Sequence, residues 1–151
     1  MKSMRIELLA SVCLIGVWLA GLAVGAEPPA FRVVSKGAVS GIREPRQTVI
    51  KDQTEWEKFW TLHQPGQGTN RKPPVVDFTK EIIIALTLGQ QRTGGYAIAV
   101  TGVEAAGDRL RISVKRSAPK PGMMVTQALT APFCIVAAPR SELKPEFLET
   151  K

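Results

Sequence analysis

An almost unbroken apolar run near the middle of the chain constrains the fold more than any other feature. Residues 82–88 read IIIALTL, with one threonine among aliphatic side chains. A strand with one face in water alternates apolar and polar residues, whereas a strand covered on both faces reads as a continuous apolar run. The run therefore predicts a central strand that lies between two layers of the protein.

A second strand is predicted shortly after this run. Over residues 96–101 large side chains alternate with small ones, as they do on a pleated strand. Gly94 and Gly95 stand directly before it, and a Gly-Gly step between two strand-like segments is typical of a hairpin in which a glycine adopts positive φ. We therefore expect residues 81–103 to form a β-hairpin that turns at these glycines.

Residues 52–63 are the one stretch with clear helical periodicity. Asp52 followed three residues later by Glu55 is typical of a capping box at a helix start. Aromatic side chains then recur at i, i+3, i+4 and i+7 on one face, namely Trp56, Phe59, Trp60 and His63. Such a stripe usually supplies core burial, so we expect this helix to cover the sheet.

Shorter segments predict the remaining strands. Aliphatic residues alternate with arginine and lysine over residues 109–115, after a tight turn at Gly107 and Asp108. Further strands are expected at residues 31–34, 47–50, 123–129 and 133–137. The polar tail, residues 139–151, fits either a short strand or disorder. The expected fold class is mainly β (α+β), a small antiparallel β-sandwich or half-barrel with one amphipathic helix, about Asp52 to His63, packed against it.

The first 26 residues have the anatomy of a signal peptide. A basic start is followed by an apolar stretch and then by Val24, Gly25 and Ala26, which are small residues. Cleavage after Ala26 implies export to the periplasm, the cell envelope or the extracellular space, and an uncleaved membrane anchor is the alternative. The predicted domains are a signal peptide (1–26), a spacer with a candidate edge strand (27–39), a main domain (40–138) and the tail (139–151).

The chain is basic, with a formal net charge of +7. Export argues against nucleic acid as a partner, so the charge favours a solvated basic surface, and the alternative partners are acidic proteins, cell-wall polymers and anionic lipid. Contact with a membrane is expected only if the N-terminal segment stays uncleaved. Cys13 falls within that segment, which leaves Cys134 alone and predicts a domain without an internal disulfide.

No group of residues in the sequence has the spacing of a catalytic or metal site. His63 ends the aromatic face and Cys134 lies inside a predicted strand, and the sequence offers neither one a clear catalytic partner. Asp77 and Glu81 are interpreted as turn and strand-edge residues rather than as paired acids. The Gly-Gly step precedes a strand, whereas phosphate-binding glycine loops open a helix. We therefore expect no enzymatic activity, no cofactor and no metal.

Loop tips are then the candidate binding surface, because binding residues concentrate on loops that a rigid scaffold positions. We expect a protein partner, and a chain that is monomeric when free. The residues predicted to contact the partner are Arg92, Thr93, Gly94, Gly95, Tyr96, Pro121, Gly122 and Phe133.

A set of short motifs is spread over most of the predicted domain. They are Glu55-Trp56 with Phe59-Trp60, Val76-Asp77-Phe78, Thr93-Gly94-Gly95-Tyr96, Pro121-Gly122, and Thr126-Gln127 with Thr130-Ala131-Pro132-Phe133. Together they resemble the C-terminal domain of the PrcB family of protease complex subunits, over about residues 40–138. The resemblance implies an exported accessory protein without catalytic residues, which associates with a protease and stabilises or modulates it. The family's namesake is a lipoprotein, but Cys13 is badly placed for lipid attachment, so a membrane anchor is not carried over.

Two other functional classes stay open at this point. The segment Thr93-Gly94-Gly95-Tyr96 is similar in outline to the wedge loop of chagasin-like inhibitors of cysteine peptidases. Alternatively, the glycine and proline positions serve only the fold of a structural module that binds the cell envelope. A captured protease, a captured glycan polymer or the absence of a partner would separate the three readings.

Overall fold

The computed structural model describes residues 31–64 and 72–150 of the 151-residue chain. The predicted signal peptide, residues 1–26, lies outside this part. No helix in the described residues is long and apolar enough to cross a membrane. The elements follow in the order β1 (Arg32–Gly37), β2 (Pro45–Ile50), α1 (Gln53–His63), β3 (Glu81–Leu88), β4 (Ala97–Ala106), β5 (Arg109–Ser117), β6 (Phe133–Pro139) and β7 (Lys144–Thr150).

Two open sheets packed face to face form the core, with α1 covering the outer face of one of them. The first sheet has the strand order β1-β6-β3-β2 and the second has the order β4-β5-β7. One apolar cluster fills the space between the sheets, and a second lies between the first sheet and α1. The prediction of a mainly β sandwich with one packed helix is confirmed.

β3 is the central strand that its sequence predicts. It pairs with β2 on one side and with β6 on the other, and residues 82–87 are all buried. Ile82, Ile84 and Leu86 face the second sheet, whereas Ile83 and Ala85 face α1. Because both faces of β3 are covered, neither face favours polar residues. The strand therefore reads as a continuous apolar run.

The predicted hairpin between β3 and β4 is wrong. These strands belong to different sheets, so residues 89–96 cross from one layer of the sandwich to the other. Both edges of β3 are already occupied, which leaves no edge to which β4 could pair. Gly95 does adopt a positive φ of 86°, as expected for one of the two glycines. The Gly-Gly step therefore predicts the turn in the backbone correctly, but it does not predict which strand β4 pairs with.

The helix forms as the capping pattern predicts. The Oδ1 atom of Asp52 accepts a hydrogen bond of 2.8 Å from the backbone N–H of Glu55, which satisfies a free donor at the helix start. The aromatic face is buried, and the indole Nε1–H of Trp56 donates to the carbonyl of Pro74 over 3.0 Å. The stripe therefore serves the core, as expected.

In the second sheet, one predicted tight turn is confirmed, and one strand pairs in a direction that was not expected. β4 and β5 pair around Gly107, whose φ is 61°, and the basic side chains of β5 face outward as predicted. The C-terminal tail forms β7, which pairs with β5 in parallel. The link after β6 is short and emerges beside the start of β5, so β7 can only run in the same direction as β5.

Residues 123–129 were expected to re-enter the sheet and do not. They form an exposed loop between β5 and β6, and the carbonyl of Thr126 accepts a hydrogen bond from Gly94, outside either sheet. β6 takes the position between β1 and β3 instead. The apolar composition of this segment therefore reflects its exposed surface rather than a strand.

Candidate binding surface at the loop end of the sandwich

Three connections leave the same end of the sandwich, which we call the loop end: residues 38–44, 89–96 and 118–132. The strand register places them there. Gly37 pairs with Phe133, Pro45 pairs with Leu88, and Ala97 pairs with Ser117, so the strand termini that flank the three connections meet. The Gly107 turn lies at the other end of β4 and β5, which we call the turn end.

Hydrogen bonds join two of these loops into one unit. The N–H of Gly94 donates to the carbonyl of Thr126 over 2.8 Å, and the hydroxyl of Thr130 donates to the carbonyl of Thr93 over 2.8 Å. Gln91 and Thr130 also exchange a pair of backbone hydrogen bonds of 2.7 and 3.0 Å. The loops predicted from sequence to form the binding surface are thus brought together.

Gly95 is required where these loops touch, for two separate reasons. Its φ is positive, and a Cβ atom added there would lie 2.9 Å from Cβ of Pro119 and 3.0 Å from Cγ1 of Val125. Gly122 also has a positive φ, of 83°, but nothing lies within 4 Å of the corresponding Cβ position. Gly95 therefore permits both the turn and the close approach, whereas Gly122 serves only a turn.

The third connection is tied to the other two. The N–H of Ala131 donates to the carbonyl of Ala38 over 2.7 Å, and the N–H of Gln90 donates to the carbonyl of Arg43 over 2.8 Å. The hydroxyl of Thr87 donates to the carbonyl of Glu44 over 3.0 Å. Bonds that tie each loop to its neighbour hold the backbone of this end in place.

Most of the residues predicted to contact a partner do lie at this end. Arg92, Pro121 and Gly122 are exposed, and so is Gly95 beside them. Thr93, Gly94 and Tyr96 are half-buried. Phe133 is the exception, because only 7% of it is accessible and its ring packs against the His63 ring at 4.2 Å between centroids. Its prediction as a contact residue is corrected: Phe133 belongs to the core beneath the loops.

The loop end also exposes apolar side chains beyond the eight residues predicted to contact a partner. Met124 is fully exposed, and the accessible fractions are 74% for Val39, 65% for Leu129 and 56% for Met123. The adjacent methionines after a Pro-Gly step were a visible signal. Val39 and Leu129 were not, because a single apolar residue in a loop looks the same whether it is buried or exposed.

Positive charge at the loop end lacks ion-pair partners. Arg43, Arg92 and Lys120 are exposed on the three loops, and none of them forms a salt bridge with any residue that the structure describes. Glu44 is the single acid within these loops. At the turn end, Arg140 and Lys51 both pair with Glu142, at 2.8 and 3.1 Å.

A buried serine and histidine lie beneath the loops. The hydroxyl oxygen of Ser40 is 2.9 Å from Nδ1 of His63 and accepts a hydrogen bond from the N–H of Ile42. The N–H of Gly41 donates to the carbonyl of His63 over 2.8 Å, so this pair fastens the end of α1 to the first loop. Ser40 was missed, because a lone serine in a turn gives no signal in the sequence.

Burial decides the chemistry of this pair. Aromatic rings surround the imidazole, and desolvation lowers the pKa of His63, so the neutral form is favoured. A hydroxyl that accepts from Ile42 can donate its own proton to a neutral Nδ1, which satisfies both polar groups. Both side chains are buried, which fits a contact that positions α1 against the first loop.

The other candidate polar groups have structural partners. Asp77 accepts hydrogen bonds from the backbone and hydroxyl of Thr79, which lower the pKa of its carboxyl, and Glu81 pairs with Arg32 at 2.7 Å. This confirms their interpretation as turn and strand-edge residues. Burial raises the pKa of the Cys134 thiol. Among the described residues, no group of three or more histidine, cysteine or acidic side chains is placed to hold a metal ion.

Comparison with known proteins identifies one family. The family model described as PrcB C-terminal matches residues 82–139, which run from β3 to β6 and make up less than half of the chain. Comparisons with curated proteins and with solved structures gave no match. The match includes the segments from Thr93 to Tyr96 and from Thr126 to Phe133, whereas the helix motif lies outside it. The resemblance to the PrcB C-terminal domain is therefore confirmed over residues 82–139, which match the model of that family.

Proposed function

We propose that this chain is an exported accessory protein without catalytic activity, which binds a protein partner through the loop end. A protease complex is the candidate partner, as the resemblance to the PrcB family of protease complex subunits implies. The observation that carries the proposal is the loop end itself, in which three loops hydrogen-bonded to one another expose apolar side chains. Exposed apolar residues grouped at one place on a soluble domain typically mark an interaction site.

Rigidity of the loops supports a role in docking. Ordering a flexible loop on binding lowers the affinity, so loops already held in place lose less entropy when a partner binds. Here each loop has backbone or side-chain hydrogen bonds to another loop, and Pro119 and Pro121 restrict the longest one. Methionine adapts its shape to irregular pockets, which suits Met123 and Met124 to contact with another protein.

The same packing weighs against a chagasin-like wedge. Such a loop has to enter the active-site cleft of the peptidase. Thr93 and Gly94 are half-buried against residues 126–130, and Gly95 is in close contact with Pro119. A wedge formed by this segment would have to separate from the loop that covers it.

Site-specific photo-crosslinking in the native envelope tests the proposal. A benzoyl-phenylalanine at Pro121 places the reactive group on the loop end, and the same group at the exposed Asp108 places it on the turn end as the matched control. We expect a protein adduct from position 121 only, and mass spectrometry would show whether it is a protease subunit. Loss of that subunit's stability or activity on deletion of this chain would support an accessory role.

Two outcomes would contradict the proposal. Adducts of equal yield at both positions would indicate non-specific contact. Attachment to a glycan polymer without a protein would favour the structural envelope-binding module.

A further inference from the structure

We infer that the surface of the partner that contacts the loop end is acidic, with carboxylates that pair with Arg43, Arg92 and Lys120 around an apolar pocket for Met124. This inference rests on the proposed function, since it specifies the chemistry of the protein that docks at that site. The inference goes beyond the proposed function because it predicts which kind of partner surface the domain would bind.

The distribution of ion pairs supports an acidic partner. Several salt bridges of this domain lie at the turn end, among them Arg32 with Glu81 and Arg109 with Asp108. Another, between Arg111 and Glu146, lies on the outer face of the second sheet, and Arg116 pairs with Glu149 where β5 and β7 end beside the loops. The loop cations Arg43, Arg92 and Lys120 form no salt bridge with any described residue. Complementary charge from a partner would supply it.

The backbone holds these cations close to the exposed apolar residues. Arg43 is fixed through its carbonyl to Gln90, two residues before Arg92. Lys120 follows Pro119, which contacts the Gly95 position, and the N–H of Lys120 lies 3.3 Å from the sulfur of Met123. Apolar side chains with charged groups around them form the usual arrangement of a protein interface, with a dry centre and a polar rim.

The residue types favour a protein over a lipid surface. Proteins that insert loops into the membrane interface rely on tryptophan and other aromatic anchors. The large exposed apolar residues of the described chain include none, and Tyr96 is half-buried. Arginine and methionine, which the loop end does expose, are enriched in protein interfaces.

Titration of the ¹⁵N-labelled protein with defined probes tests the inference by NMR. The probes are a peptide of glutamate and leucine, the same peptide with glutamine in place of glutamate, and vesicles of phosphatidylcholine with phosphatidylglycerol. We expect the glutamate peptide to shift amide signals of residues 39–44, 91–94 and 120–129, and its apparent Kd to rise with added salt. The glutamine peptide should bind at least tenfold more weakly.

Two double variants with the same change in charge separate local from overall charge. R92E/K120E removes cations from the loop end, and K58E/K144E removes exposed cations from α1 and from the start of β7. All four residues lack salt bridges to described residues, so neither variant breaks one. We expect the first to weaken the glutamate peptide at least tenfold and the second less than twofold, with both spectra otherwise retaining the dispersion of the folded protein.

Several results would overturn the inference. Equal weakening by both variants would mean that only the net charge matters. Equal binding of the glutamine peptide, or no binding of the glutamate peptide at the loop end, would remove the preference for acids. Loop-end shifts with the vesicles but not with the glutamate peptide would assign the surface to a membrane. These results would overturn only the acidic character of the partner, because a protein could still be crosslinked at position 121. The absence of any crosslinked protein would refute the proposed function itself.

Discussion

Replacing Gly95 with alanine tests directly whether the loop end is built as described. The added methyl group would meet a backbone of positive φ, 86°, and would lie 2.9 Å from Cβ of Pro119 and 3.0 Å from Cγ1 of Val125. A residue with a Cβ in the left-handed region costs roughly 1–2 kcal/mol. Forcing an extra carbon into a packed contact costs roughly 1–3 kcal/mol. We therefore expect Gly95→Ala to lower the free energy of unfolding by about 2–5 kcal/mol.

Two other glycines separate these contributions. Gly122 has positive φ but open space, so Gly122→Ala should cost only the conformational part, roughly 1–2 kcal/mol. Gly94 lies outside the left-handed region, and its added Cβ would be 3.4 Å from Cβ of Thr126. Alanine there also restricts the unfolded chain, which stabilises by about 0.4–1 kcal/mol, so we expect a change below about 1 kcal/mol.

Urea unfolding of the three variants, followed by tryptophan fluorescence, measures these differences. The predicted order of destabilisation is Gly95, then Gly122, then Gly94. If Gly95→Ala costs no more than Gly122→Ala, the close contact with Pro119 and Val125 does not exist in solution. The reasoning about how the loops are joined would then be refuted.

Three further predictions follow from other parts of the fold. Because burial holds the pKa of His63 below its ordinary 6.5, its contribution to stability should be complete above pH 6.5 and should decline as the pH falls below that value; urea midpoints from pH 8 to pH 5 would show this, and a His63→Gln variant with the same pH profile would contradict it. Asp52→Ala should lower the free energy of unfolding by about 1 kcal/mol through loss of the helix cap, whereas Asp52→Asn should retain most of it; equal losses in urea titrations would exclude capping as the cause. Met124→Ser should leave the melting temperature unchanged, since the side chain is fully exposed, and should reduce the crosslink yield from position 121; an undiminished yield would exclude Met124 from the docking surface.

The sequence predicts an element well when the pattern that encodes the element is local. The continuous apolar run of β3 and the aromatic spacing of α1 record how many faces of each element are covered. Both are local periodicities, so a single sequence contains them. The same holds for the Asp52 cap and for the alternation along β5.

Pairing between strands is decided by the rest of the fold. β4 was expected beside β3, yet β2 and β6 occupy both edges of β3, and β6 arrives from far along the chain. β7 runs parallel to β5 because a short link starts it at the same end of the sandwich. No local pattern encodes which edge is free.

The candidate site also has features that the sequence predicted and features that only the tertiary structure decided. The sequence by itself indicated the loops and the family motifs, and it correctly required positive φ at one of the two glycines. Only the tertiary structure placed Phe133 in the core and paired Ser40 with His63, because burial depends on residues distant in the chain. It also brought Arg43 beside the loop of Arg92 through the hydrogen bond to Gln90. Periodicity is local and is written in the sequence, whereas edges, burial and shared surfaces arise only when distant segments meet.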